Sequence, residues 1–497
     1  MGEGLRIGIV GGGASAVCII DALSEYASRP GSLTIFDPTP QLWRGRAFQH
    51  DADVVLVNSP AEDMSVRHRD SGHFEKWLRN RYYAEGQEVP DFAPRAVFGD
   101  YLAQVAEQGI SRLSESGWNV EIVRSAVVRA NRVEKDIVLH SRDGANGLFD
   151  YVILAVGGGR PHDTYGLAGA PNFIEEPYPI AQTLAPIGTN DPVAVIGTGL
   201  TAVDTVIALE SSGHGGPITM LSRQGMLPAV RQLKLAYEPK HFVPARLHGL
   251  AGSARRLEFA AVIDLLRIEL LEAGAELDDV WEEISRSKDE EPVARLRRGL
   301  ADVESERTSL RVLQTAVHVC GPDLWPLLLD NVKKDVLGPY YRTLMSLCCP
   351  MPPSSAQTLL RLVDAGQVEI VSGTFSVARC DDGGFKITAS SRTISADHAV
   401  NCVNAARDRI PAGANALMKS LYEQGLAVPH ADGGLCVQTG NSLCNSPENG
   451  DSHRLYAIGD ITGGTFFFTF GIPSLVDRCH DIVTDILLTD KKDISYA

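Results

Sequence analysis

The sequence predicts an α/β fold: two Rossmann-like, three-layer dinucleotide-binding domains, the first interrupted by the second, with a helical insertion. Three observations predict it. A strand, glycine turn, helix, strand pattern occurs twice, with first glycines Gly11 and Gly197 lying 186 residues apart. That separation is too long for a solenoid repeat and marks two units. The stretch 245–367 has apolar spacings near the helical period. An apolar strand ending in Gly459-Asp460 appears late in the chain.

The first pattern opens on the apolar run LRIGIV at residues 5–10. It turns at Gly11-Gly12-Gly13-Ala14-Ser15-Ala16, enters a helical pattern, and closes with SLTIFD at Asp37. Gly11 permits the tight turn, and Gly13 lets backbone approach a pyrophosphate. Ala16 allows close helix–strand packing, and the helix N-terminus attracts the diphosphate. Asp37 falls where a carboxylate accepts ribose hydroxyls.

A domain crossover follows, an apolar strand running into Gly157-Gly158-Gly159-Arg160-Pro161. The second pattern runs from PVAVI through Gly197-Thr198-Gly199-Leu200-Thr201-Ala202 and ends in Ser222-Arg223. A guanidinium where the first unit has a carboxylate favours a 2′-phosphate, so the second cofactor reads as NADPH rather than NADH. Arg231 and Lys234 add basic charge nearby. The expected domains are a first one made of 1–170 and 371–497, and a pyridine-nucleotide domain at 185–370 that includes the insertion. After Gly459-Asp460 come an aromatic loop and a helix with Pro473 in its first turn.

Length and composition agree with this division. At roughly 150 residues per domain, 497 residues suggest about three domains, or two with one interrupted. Hydrophobic residues at 44% and charged residues at 22% exclude wholesale disorder. The 47 glycines exceed ordinary usage and belong to turns and ligand-approach loops. A formal net charge of −16 argues against nucleic-acid and anionic-membrane partners. Nine cysteines without a CxxC pair read as a reduced, cytoplasmic protein. The N-terminus lacks the basic region of a signal peptide. The histidines show no metal-ligand spacing, so no metal is expected.

The order of these motifs resembles two-dinucleotide flavoproteins, and in particular the single-component (class B) flavin-dependent monooxygenases and amine N-hydroxylases. Asn58-Ser59-Pro60-Ala61-Glu62-Asp63-Met64 is similar to their N-x-P-x-x-x-M-like segment. LWRGRAF puts Trp43, Gly45 and Arg46 where relatives contact FAD, and Ala93–Leu102 is similar to a further element of the group. The FxGxxxHxxx signature of the strict flavin-containing monooxygenases is not evident between the glycine turns, and position 404 is Asn where many relatives have Gly.

The resemblance implies FAD in the split domain and NADPH in the inserted one. It implies an NADPH-dependent monooxygenase that forms a C4a-(hydro)peroxyflavin and oxygenates a small substrate with O2. N-hydroxylation of an amine or amino acid in a specialised biosynthetic pathway is the leading reading. An S-oxygenating or Baeyer–Villiger enzyme, or a flavin reductase that inserts no oxygen, stays open. Asn58 is the expected catalytic residue beside the flavin, its other reading being a turn residue before Pro60.

The FAD set comprises Gly11, Gly13, Ser15, Ala16, Asp37, Trp43, Arg46, Met64, Gly157, Gly459, Asp460 and Thr465. The NADPH set comprises Gly197, Gly199, Thr201, Ser222, Arg223 and Arg231. Arg95 is a substrate-carboxylate candidate, with a structural ion pair as its other reading. Phe466, Phe467, Phe468 and Phe470 are candidates for a flavin-pocket wall. Relatives include homo-oligomers, and this chain's oligomeric state is left open.

Overall fold

Each glycine-turn pattern folds as a parallel sheet with its helix in the predicted place. The computed structural model describes residues 4–84, 86–235, 237–305, 307–381, 383–389, 392–403, 410–446, 454–469 and 471–495. The chain divides into two units, one of 1–50, 59–160 and 405–497, the other of 51–58 and 161–404.

The first unit has a five-stranded parallel sheet. Its order is Leu455–Ala457, Tyr151–Leu154, Leu5–Val10, Gly31–Phe36, Asn119–Val123. The middle strands are apolar runs because both faces are covered. Ile7, Ile9, Leu33, Ile35, Val152 and Ile153 are all essentially inaccessible. The helix Ala14–Tyr26 buries Ala16, Val17, Ile19, Ile20 and Leu23. An antiparallel three-stranded sheet, Val127–Val133, Asp136–Ser141 and Asn146–Phe149, adds a second layer. It packs with the helix Asn415–Glu423 around Ala130, Leu139, Leu417 and Leu421.

The second unit repeats the plan. Its parallel sheet runs Val368–Ser372, Ile218–Ser222, Val193–Ile196, His398–Asn401, Phe173–Ile174. Among the described residues seven helices lie between Pro244 and Asp364, where the apolar spacing is helical. Three of them, Phe259–Glu272, Leu277–Asp289 and Ser309–Leu327, bury Leu266, Leu270, Val280, Ile284, Val312 and Ala316 in one cluster.

The unit boundary differs from the expected break at 370/371, which falls inside the strand Val368–Ser372. That strand pairs with Ile218–Ser222, and His398–Asn401 pairs with Val193–Ile196. Both hold the stretch up to 404 in the second unit. The segment 51–58 also belongs there. Asp51 accepts the N–H groups of Ile180 and Ala181 at 2.7 Å each, and Val55 enters that unit's core.

Among the described residues no helix is long and apolar enough to cross a membrane. None of the nine cysteines is in a disulfide. No group of three metal-binding side chains occurs among the described residues.

Candidate functional site

The first glycine turn is held from three sides. Gly11 has φ +109°, and a Cβ there would lie 2.1 Å from the Ala155 carbonyl oxygen. Only glycine fits a left-handed position against neighbouring backbone. Asp37 Oδ2 accepts the Gly12 N–H at 2.6 Å, and Oδ1 accepts the N–H of Thr39 at 2.7 Å and its hydroxyl. The strand-end carboxylate therefore closes the turn. On the third side the Trp43 N–H donates to the Gly12 carbonyl at 2.6 Å, with Trp43 buried and at φ +73°.

The helix Ala14–Tyr26 begins at Gly13 with no side-chain cap and no acidic residue in its first turn. A Cβ on Gly13 would find only backbone atoms of Gly45, the nearest at 3.5 Å. Open N–H groups on a side-chain-free approach suit a diphosphate. Ser15 is partly accessible and Ala16 is fully buried. Gly459 lies beside Ser15, its Cβ position 3.7 Å from the Ser15 hydroxyl. Beyond Gly157 the chain passes against Asp460 so closely that a Cβ on Gly158 would sit 1.9 Å from the carboxylate. The elements expected to hold FAD in the first unit thus include two neighbouring turns at the strand ends, one after Tyr151–Leu154 and one after Leu455–Ala457.

Other expected members have different surroundings. Arg46 is exposed, and Met64 is buried at the end of the short turn Ala61–Asp63. The Thr465 hydroxyl accepts the Val437 N–H at 3.3 Å. Phe466 packs into the first unit's core beneath the Arg478 guanidinium, so it is a core residue and not a pocket wall. Phe467 and Phe468 meet edge to face at 4.5 Å. Phe470 and Asn404 lie outside the described residues.

Arg95 is buried at the first position of the helix Arg95–Glu115. The rest of that motif has a structural explanation the sequence did not disclose. Arg44 is buried, pairs with Asp100, and donates to the Ala96 carbonyl at 3.1 Å. A Cβ on Gly99 would lie 2.0 Å from the Phe48 carbonyl oxygen. The Tyr101 hydroxyl accepts the Val66 N–H at 3.3 Å. The motif therefore clamps the loop carrying Trp43 and the segment that follows Met64. Arg44 and Asp100 were absent from the expected site; an Arg inside a tight loop followed by a distant G-D-Y would have been the signal.

The second glycine turn repeats the first. Gly197 has φ +133°, with its Cβ position 2.7 Å from the Cys402 carbonyl. Gly199 starts the uncapped helix Leu200–Ser211, and nothing lies within 4 Å of its Cβ position. Thr201 is partly accessible in the first turn. Ser222 ends its strand buried and Arg223 is exposed; their carbonyls accept the Gly373 N–H at 3.2 and 3.1 Å. Arg342, from the helix Asp330–Cys348, faces Arg223 electrostatically. Burial and then the Arg223 charge push its pKa down. A phosphate bound near both charges would offset that repulsion.

Asn58 and Arg231 come together. The Arg231 guanidinium donates to the Asn58 carbonyl at 2.8 Å. The Asn58 side-chain amide makes no hydrogen bond among the described residues, and so keeps its donor and acceptor for a ligand. The sequence places Asn58 with the flavin and Arg231 with NADPH.

Comparison with known proteins agrees with the architecture. The chain superimposes on ornithine hydroxylase from Pseudomonas aeruginosa with a TM-score of 0.56 at 13% identity, covering 97% of this chain and 98% of that one. For L-lysine 6-monooxygenase from Pseudomonas syringae the TM-score is 0.57 at 13% identity, with 97% and 98% covered. A bacillithiol disulfide reductase from Staphylococcus aureus gives 0.52 at 10% identity, with 98% and 99% covered. At such identities the likeness establishes the fold. No curated protein sequence matches the chain. Residues 8–159, which carry the first glycine turn, Asp37 and Gly157, match the model of the family described as FAD-NAD(P)-binding, and 97% or more of the chain shares the fold of these three structures.

Proposed function

We propose that this protein is an FAD- and NADPH-dependent monooxygenase that uses O2 to N-hydroxylate a small amine or amino acid. The observation that carries the reading is the pair of uncapped helix N-termini at glycine turns, each at the end of its own parallel sheet. The first would hold the FAD diphosphate, with Asp37 toward the ribose and Gly157, Gly459 and Asp460 toward the remaining polar portion. The second would hold the NADPH diphosphate, with Arg223 and Arg342 on the 2′-phosphate. When bound, the flavin supplies the redox and oxygen chemistry. The chain's own task is to orient the reactants, exclude water and offer a neutral hydrogen-bonding group at the reacting edge. Asn58 suits the last role, because its amide is unspent and cannot act as an acid.

Ornithine- and lysine-hydroxylating neighbours support the amine reading. The disulfide-reductase neighbour shares the fold, so a flavin reductase without oxygen insertion is the second reading. Candidate amines are supplied to the flavin-loaded enzyme, and hydroxylated product and H2O2 are counted per NADPH consumed. Product close to one per NADPH supports the monooxygenase. Stoichiometric H2O2 with every amine, or electron delivery to a disulfide or quinone, would favour the reductase.

The phosphate reading has its own test. Arg223→Ala should raise the KM for NADPH about tenfold or more, the loss of one charge-assisted contact, and leave that for NADH nearly unchanged. Arg342→Ala should act in the same direction. Equal effects on the two nucleotides would mean that neither residue reads the phosphate.

A further inference from the structure

We infer that Arg231 is a positioning residue for Asn58 and does not read the nucleotide phosphate. The inference rests on the flavin-side reading of Asn58 given above. It begins with what fixes Arg231 itself. The Arg231 N–H donates to the Met351 carbonyl at 2.9 Å, and the Met351 N–H returns to the Ala229 carbonyl at 2.8 Å. Val230 and Met351 are both buried in this small bridge. The neighbouring Gln232 is buried, and its side chain donates to the Asp302 carbonyl at 3.1 Å. The guanidinium therefore springs from an anchored backbone.

On Asn58 the guanidinium meets a main-chain atom. Nη2 donates to the Asn58 carbonyl at 2.8 Å, a charge-assisted bond. The segment 51–58 is tied at its other end by Asp51, which holds the N–H groups of Ile180 and Ala181, and at its middle by buried Val55. Arg231 supplies the polar tie at the Asn58 end. Holding the carbonyl leaves the side-chain amide unspent, which is how a backbone clamp orients a side chain for a ligand. A phosphate recruiting this nitrogen would have to displace that bond. Arg223 has no such competing hydrogen bond among the described residues.

The test uses the flavin-loaded full chain. NADP+ and NAD+ affinities are read by quenching of protein fluorescence, and H2O2 release is read during NADPH oxidation without substrate. Arg231→Met should leave both affinities within about twofold and raise H2O2 release about tenfold, since a shift of roughly 1 Å can cost about a hundredfold. Asn58→Ala should raise release similarly, and the double variant should do no more than either single one, as for residues acting as a unit. Arg231→Lys, which keeps a cation and a donor, should fall between wild type and Arg231→Met, and carries the comparison if Arg231→Met does not fold.

A tenfold loss of NADP+ affinity with NAD+ unaffected, or additive effects in the double variant, would overturn the proposal. If Asn58→Ala changes H2O2 release and the Arg231 variants do not, the positioning role alone fails. If Asn58→Ala has no effect, the flavin-side reading fails and takes the proposal with it.

Discussion

Gly11→Ala should purify without bound flavin or fail to reach the soluble fraction. The methyl group would sit 2.1 Å from the Ala155 carbonyl oxygen and 2.7 Å from its carbon. Both are main-chain atoms of the segment that follows a central strand, so no side chain can swing aside. The residue would also have to keep φ near +109°, which costs an L-residue about 1–2 kcal/mol before any overlap is counted. The strands on either side cannot relax easily, because the Gly11 N–H donates to the Phe36 carbonyl at 2.8 Å and the Ala155 N–H to the Val10 carbonyl at 2.8 Å. The strain must therefore open the turn or separate the strands. Gly13→Ala provides the control. Its backbone lies at φ −91°, and its Cβ would make ordinary contact with Gly45 at 3.5 Å. This variant should melt within about 2 °C of wild type, as expected for a substitution that neither strains nor overpacks. It should nevertheless bind FAD at least about tenfold more weakly, because its methyl group occupies the approach expected for the diphosphate. Wild-type flavin affinity in Gly13→Ala would mean that no cofactor comes in over this turn.

The same turn illustrates what was legible in the sequence. A glycine between an apolar run and a helical pattern carries its geometric reason locally, and so does an acid at the end of the next strand. Both turns and both helices follow from residues within about 30 positions of each other, the span of one such unit. Longer-range features have no such local record. Val368–Ser372 joins the second unit because it pairs with Ile218–Ser222, a partner no local pattern names. The antiparallel strands Phe375–Arg379, Phe385–Ala389 and Arg392–Ala396 alternate too briefly to stand apart from the surrounding polar chain. Arg44 reads as a solvated base until Asp100 is brought beside it. Arg231 reads as a base near the second glycine turn, and its carbonyl acceptor on Asn58 lies 173 residues earlier.

Glu269 is the strongest case of a residue whose role is invisible in sequence, and its replacement should have the second large effect. In FAAVIDLLRIELLE it looks like a solvent-facing helix residue, yet it is fully buried. Its carboxylate accepts the N–H groups of Lys240, His241 and Phe242 and the Tyr237 hydroxyl. One side chain thereby satisfies three consecutive main-chain donors of the loop that leads into the helix Pro244–Ala251. Burial alone would raise the Glu269 pKa, but the hydrogen bonds from Tyr237, Phe242, Lys240 and His241 outweigh it and the net shift is downward. A carboxyl group whose folded pKa is depressed stabilises fully above its unfolded value and loses that contribution as pH falls through the folded one. Glu269→Gln keeps the shape but turns an amide toward donors that need an acceptor. Each charge-assisted bond lost costs about 1.5–3 kcal/mol. At pH 7 the amides of Lys240, His241 and Phe242 should therefore exchange with solvent about a hundredfold faster than in wild type, a loss of about 2.7 kcal/mol at about 1.36 kcal/mol per decade. The ratio between variant and wild type, taken at each pH, should shrink as pH falls below about 4.5, the ordinary carboxylate range of glutamate. A ratio that stays constant down to pH 3 would mean that shape, and not the carboxylate charge, holds the loop.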